Sequence, residues 1–206
     1  MRNKFEGETV ICIASGPSIT QDQIELIRST SHPVIAVNNT FLIAPWAYII
    51  FDSDILWWYR YYDDVAEICS GELWTIDGVG DHFVKRTRKV DPPINQVGFD
   101  RELGLGNVRV NHGGNSGYIA VNLAYLMGAK KIVLVGYDHK HSNDQTRFHG
   151  DHDRTHFRKN AEDTDRWLSN FTWLAYDLKA SGVDLVNCSL DTAIESCRKG
   201  ILENEI

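Results

Sequence analysis

Short apolar runs that stop abruptly at polar turns dominate the chain. Residues 9–14 (TVICIA) form a β-branched run that breaks at Ser15-Gly16-Pro17-Ser18, and the following ITQDQIELIR spaces Ile19, Ile24 and Ile27 as a helix does. After Ser31-His32-Pro33 the run VIAV ends in Asn38-Asn39-Thr40. AYIIF (47–51) ends in Asp52-Ser53-Asp54, ahead of the aromatic-rich ILWWYRYYDD. KKIVLVGYD (130–138) is the clearest strand of all, and VDLVN (183–187) the last. Between them, Ile119, Leu123, Leu126 and Met127 give helical spacing with Gly128 as a C-cap, and a long helix is predicted over roughly 161–181.

Strands that are apolar throughout, rather than alternating, are what a parallel sheet covered on both faces requires. The alternation of strands and helices therefore predicts a doubly wound, mostly parallel α/β sheet in a single domain. Residues 71–110 are less regular, with one strand candidate (GELWTIDG), a basic KRTRK stretch (85–89), Pro92-Pro93 and several glycines. They read as an irregular insertion or lid.

The composition, with 43% apolar, 24% charged and 11% aromatic residues over 206 positions, excludes disordered, collagen-like and disulfide-scaffold classes. A formal charge of -7 argues against an extended surface for duplex DNA. Cys12, Cys69, Cys188 and Cys197 form no CxxC pair and read as small core hydrophobes in a reducing compartment. MRNKFEGE lacks the apolar core of a secretory signal, and no stretch approaches the roughly 18 apolar residues that span a bilayer. The expectation is a cytoplasmic protein without a membrane partner.

Ligands of open parallel sheets sit beyond the carboxyl ends of the strands, where the polar clusters fall. The bend Ser15-Gly16-Pro17-Ser18 can offer backbone N–H groups to an anion at the start of a helix, or be an ordinary strand-to-helix turn. Asn38, Asn39, Asp52 and Asp54 can recognise ribose or base, or simply cap turns. Gly113-Gly114-Asn115-Ser116-Gly117 is a second glycine-rich turn opening a helix, suited to another anionic group at Gly114 to Gly117, or purely structural.

Five of the eight histidines (His139, His141, His149, His152, His156) lie between Asp138 and His156, together with Asp144, Asp151 and Asp153. The cluster can ligate a metal, supply a general base near neutral pH or be a merely solvated loop, and its spacing fits no standard zinc template. The aromatic block Trp57-Trp58-Tyr59, Tyr61, Tyr62 is expected in the core, with stacking on a base or sugar and a subunit interface as the other uses, so a homo-oligomer stays open. The KRTRK run is a solvated face, a cap over phosphates or a handle for an acidic acceptor.

Taken together, IASGPS, VNNTF, APWAYIIFDSD followed by WW, GGNSGYIAVNLAYLMGAKKIVLVGYD, RFHGDH and DLVNCSLDTA resemble Rossmann-like proteins of tailed phages and prophages. Those belong with the 6-hydroxymethylpterin diphosphokinase-like family and are distantly similar to bacterial CMP-sialic-acid-dependent sialyltransferases. The resemblance covers roughly residues 9–70 and 107–195. It implies that Ser15, Gly16, Pro17 and Ser18 lie against a nucleotide, that Asn38 and Asp52 meet the nucleoside, and that Gly114 to Gly117 hold donor phosphate. It places the catalytic base on His149 or His152, in Arg147-Phe148-His149-Gly150-Asp151-His152. The tyrosine pair that holds phosphate in the sialyltransferases has no clear counterpart beyond Tyr137. For the pterin kinases the implied cosubstrate is ATP with Mg²⁺, for which Asp138 and Asp52 are suitable oxygen ligands.

The expected function is a nucleotide-dependent transferase, glycosyltransferase-like, with a nucleotide-sugar donor of the CMP-sugar type, an acceptor left open and a histidine base. The alternatives are an ATP/Mg-dependent diphosphokinase acting on a pterin-like substrate, a non-catalytic nucleotide-binding phage module, and a metal-dependent hydrolase built on the histidine loop.

Overall fold

The computed structural model describes residues 3–87, 91–140 and 161–206. In chain order the elements are β1 (Thr9–Ile13), α1 (Gln21–Arg28), β2 (Val34–Val37), a 3₁₀ turn (Asn38–Leu42), β3 (Ile49–Phe51), α2 (Ile55–Ile68), β4 (Glu72–Ile76) and α3 (Val79–Thr87). Then come β5 (Ile94–Val97), β6 (Phe99–Asp100), β7 (Val110–Asn111), α4 (Ser116–Leu126), β8 (Lys131–Val135), α5 (Ala161–Ala180), β9 (Asp184–Asn187), β10 (Arg198–Lys199) and a final 3₁₀ turn (Leu202–Asn204).

The main sheet has eight strands in the order β10-β9-β8-β1-β2-β3-β4-β5, and each pairing in it is parallel. Side chains alternate between its faces along each strand. Ile11, Ile13, Val34, Ala36 and Ile50 meet α1, α2 and α3, while Val10, Cys12, Ile35, Val37, Ile49 and Phe51 meet α4 and α5. Helices on both faces explain why the central strands lack alternation, and the fold is doubly wound and Rossmann-like. Each fully buried aliphatic side chain contributes about 1.5–3 kcal/mol, so a Leu134→Ala change in β8, where Leu134 is wholly buried, costs about 2–5 kcal/mol.

The stretch read as an insertion contributes β4 and β5 to the main sheet, with α3 between them, and ends in the two-stranded β6-β7 pair. The aromatic block is core as expected, with Trp57, Trp58 and Tyr62 buried beneath α2. Burial holds the Cys12 thiol up at about 12 and those of Cys69, Cys188 and Cys197 at about 11, so these are inert thiols. No helix among the described residues is long and apolar enough to cross a membrane.

Two features position the site. The chain steps outward from β1 to β5, then returns through α4 to β8 on the other side of β1, which makes the β1/β8 junction the switch point where the strand order reverses. Apart from Ser116 and Asn122, the helix that makes this return is apolar on every side. Ten of the eleven residues of α4 are buried, as a helix enclosed on every side must be.

Candidate functional site

Beyond the carboxyl ends of β1 and β8 lies a cleft of about 440 Å³. Ala14 to Pro17 form one side of it, and Gly114 to Gly117 another. The two bends singled out in the sequence, from opposite halves of the chain, thus line one cavity.

The first bend is built differently from expectation. The Gly16 and Ser18 amides are not offered to a ligand: Gly16 N–H donates to the Gly136 carbonyl at 2.8 Å, and Ser18 N–H donates to Asp138 Oδ2 at 2.8 Å. Ser18 Oγ adds a 2.6 Å bond to Asp138 Oδ1, so a carboxylate of the protein itself occupies the position foreseen for an anion. Nor does Pro17 open a helix. α1 begins only at Gln21, where Thr20 and Gln23 form a reciprocal capping box. Gly16 is required by close approach, since a Cβ there would lie 2.4 Å from the Gly136 oxygen and 2.5 Å from Asp138 Cγ.

The second bend matches its expected form. Gly113 takes φ +48° with the Tyr118 ring packed against it, and Gly114 takes φ +97° against Trp167. Asn115 then caps α4 by accepting Tyr118 N–H at 2.9 Å. The N–H groups of Ser116 and Gly117 belong to the first turn, where a helix has no acceptor of its own to give them. Asn115 Nδ2 is shielded from solvent without a hydrogen-bond acceptor among the described residues. The Ser116 hydroxyl lies 2.9 Å from Ser53 Oγ, tying the end of β3 to the start of α4.

The strand-end residues divide by role. Asn38, held at φ +57°, lines the cleft and donates to Asp52 Oδ2. Asp54 lines it too while capping α2 through Leu56 N–H at 2.8 Å. Asp52 itself is fully buried and accepts Asp54 N–H at 2.6 Å, so it braces Asn38 and Asp54 from behind. Asn39 is a structural residue: it is buried and accepts the Trp57 indole N–H at 2.7 Å.

At the end of β8, Asp138 is 4% exposed, and burial raises its pKa above the ordinary carboxylate value against the opposing pull of the two Ser18 bonds. With its oxygens turned to Ser18, and those of Asp52 to Asn38 and Asp54, the two carboxylates foreseen for Mg²⁺ already serve the protein's own donors. Among the described residues no group of three or more His, Cys, Asp or Glu is placed to hold a metal ion. Tyr137, the lone candidate for a phosphate-holding tyrosine, instead donates its buried hydroxyl to the Gly117 carbonyl at 3.1 Å. His149 and His152 lie outside the described residues, as do His141 and His156. The described residues on either side, His139 and Lys140 before and Asp163 and Thr164 after, line the cleft.

Several cleft residues were not singled out from the sequence. Arg166 and Trp167 arrive on α5, and Arg166 pairs with Asp163 at 2.6 Å. His112 lines the cleft with its ring 5.7 Å from that of Phe99, and its Nδ1 accepts Gly114 N–H at 3.2 Å. Its position two residues ahead of a glycine turn was the one available signal. Comparison with protein-family models and with curated proteins gives no match.

Proposed function

We propose that the protein is a nucleotide-dependent, glycosyltransferase-like enzyme that binds a nucleotide-sugar in the β1/β8 cleft. The observation that carries this reading is the convergence of both glycine-containing bends on one cleft at the switch point of a parallel sheet, where this architecture places ligands. The donor phosphate is assigned to the start of α4, where first-turn amides, the helix dipole and the unsatisfied Asn115 amide favour an anion. Asn38 and Asp54 face the nucleoside, and the first bend, with its Gly16 and Ser18 amides engaged within the protein, supplies mainly shape. In the transfer, an acceptor hydroxyl attacks the anomeric carbon and the bond to the nucleotide phosphate breaks. The hydroxyl proton passes to His149 or His152, and the leaving phosphate is stabilised by amides already in place.

ATP-dependent diphosphoryl transfer has less support, because Asp138 and Asp52 are turned to internal donors. The test is calorimetry with CMP, ATP and UDP-sugars, with product formation followed on the same samples. One of these nucleotides should bind, and Asn38→Ala should weaken it by about three- to tenfold, the loss of one net hydrogen bond. His149→Ala or His152→Ala should abolish turnover while binding persists. Failure of every nucleotide to bind at millimolar concentration overturns the proposal, and binding without turnover over a broad acceptor panel converts it to a binding module.

A further inference from the structure

His112 stands at the mouth of the second bend with its two ring nitrogens in different situations. Nδ1 accepts the Gly114 amide N–H at 3.2 Å, and the same N–H reaches the His112 carbonyl at 2.5 Å. A nitrogen that accepts a hydrogen bond carries no proton, so in the neutral ring the proton must sit on Nε2. Burial and the neighbouring Arg101 cation both favour that neutral ring. His112 lines the cleft together with the residues at the start of α4, and of its two ring nitrogens Nε2 is the one not committed to Gly114.

Building on the nucleotide reading above, we infer that His112 is a specificity-determining residue that donates its Nε2–H to an anionic oxygen of the donor phosphate. Gly114 thereby performs two tasks: its φ of +97° forms the bend, and its amide fixes which nitrogen of His112 is the donor. The arrangement selects for an acceptor group at this point, since a ligand bearing a hydrogen there would meet N–H against N–H.

Two substitutions separate ligand contact from bracing of the turn. Asn at 112 keeps a carbonyl oxygen near the Nδ1 position and removes the far donor, whereas Gln places an N–H near the Nε2 position and gives up the acceptor near Gly114. If His112 contacts phosphate, His112→Asn weakens CMP by about tenfold, the magnitude of a hydrogen bond to a charged group, leaves cytidine unchanged, and His112→Gln retains CMP affinity within about threefold. The reverse order, or equal losses for CMP and cytidine, means that His112 only braces the turn and overturns the inference. Ring ¹⁵N spectra of the ligand-free protein should show Nε2 protonated and Nδ1 bare, and the opposite tautomer also overturns it.

Inorganic pyrophosphate distinguishes this inference from the reading it rests on. Should no nucleotide bind while pyrophosphate shifts the His112 Nε2–H resonance, the nucleotide assignment fails and the anion contact stands. Should neither CMP nor pyrophosphate shift that resonance, the contact is refuted.

Discussion

The carboxylate of Asp138 holds both the amide and the hydroxyl of Ser18, at 2.8 and 2.6 Å, and so pins the turn after β1 to the end of β8 across the switch point. Burial raises the pKa of Asp138, so folding favours its protonated form. The sign follows: with the folded pKa above the unfolded value, its contribution is most favourable below about pH 3.8 and is lost as pH rises through the folded pKa. Asp138→Asn, which keeps partners for Ser18 without the charge, should therefore hold or raise the unfolding midpoint at pH 7. Ser18→Ala, which removes the hydroxyl donor to Asp138 Oδ1 and leaves only the backbone N–H on this buried carboxylate, should cost about 1–3 kcal/mol. Thermal unfolding of the pair checks the contrast, and equal losses would contradict it.

Gly16→Ala should be poorly tolerated. The added methyl would meet a backbone oxygen at 2.4 Å, which no side-chain rotation relieves. A cost of about 1–3 kcal/mol in urea denaturation is expected, with the cleft distorted at its floor.

His112 makes stability depend on pH in the opposite sense from Asp138. Burial first, and Arg101 second, lower its folded pKa below the unfolded 6.5. Its contribution is therefore complete above pH 6.5 and falls away as pH drops through the folded pKa, when protonation of Nδ1 abolishes the Gly114 bond. Denaturation midpoints measured from pH 8 down to pH 5 should fall less steeply in His112→Asn than in the parent.

At the far edge of the sheet, Arg198 pairs with Asp184 at 2.6 Å and with Glu205 at 2.5 Å, and Lys131 reaches Glu205 at 2.7 Å. Hydrogen bonds from Arg198, then from Lys131, depress the Glu205 pKa to about 2. Glu205→Gln should lower stability by about 1 kcal/mol at pH 7 and low salt, and less at high salt. The difference should persist above pH 4.5 and close as pH falls toward 2, as chemical denaturation across that range will register.

The interior strands were legible because TVICI, VIAV, IIF and KIVLV are buried on both faces and therefore apolar at every position but the opening Thr9 and Lys131. The edges were not. β5 reads INQV, with Asn95 and Gln96 less buried than its ends, and β10 is Arg198-Lys199, both exposed; neither carries a hydrophobic signature. The second bend announced itself through local rules, since Gly, Gly and an N-capping Asn act on their immediate neighbours. The first bend misled because what fills it is Asp138, 120 residues away, and a turn's sequence holds no record of a distant carboxylate. Asn39 misled for a similar reason, because its partner Trp57 is set by packing.

The enclosure of α4 has a consequence for recognition. Ile119, Ala120, Val121, Leu123 and Ala124 are all wholly buried, so this helix has no slack to rotate or slide toward an arriving guest. Its leading end acts as a fixed post, already aimed before any encounter, and little ordering remains to be done there when a ligand docks. Adjustment to differently shaped guests must come from the opposite bank, so altered selectivity is best sought by diversifying Asn38, Ser53 and Asp54 while the post is left untouched.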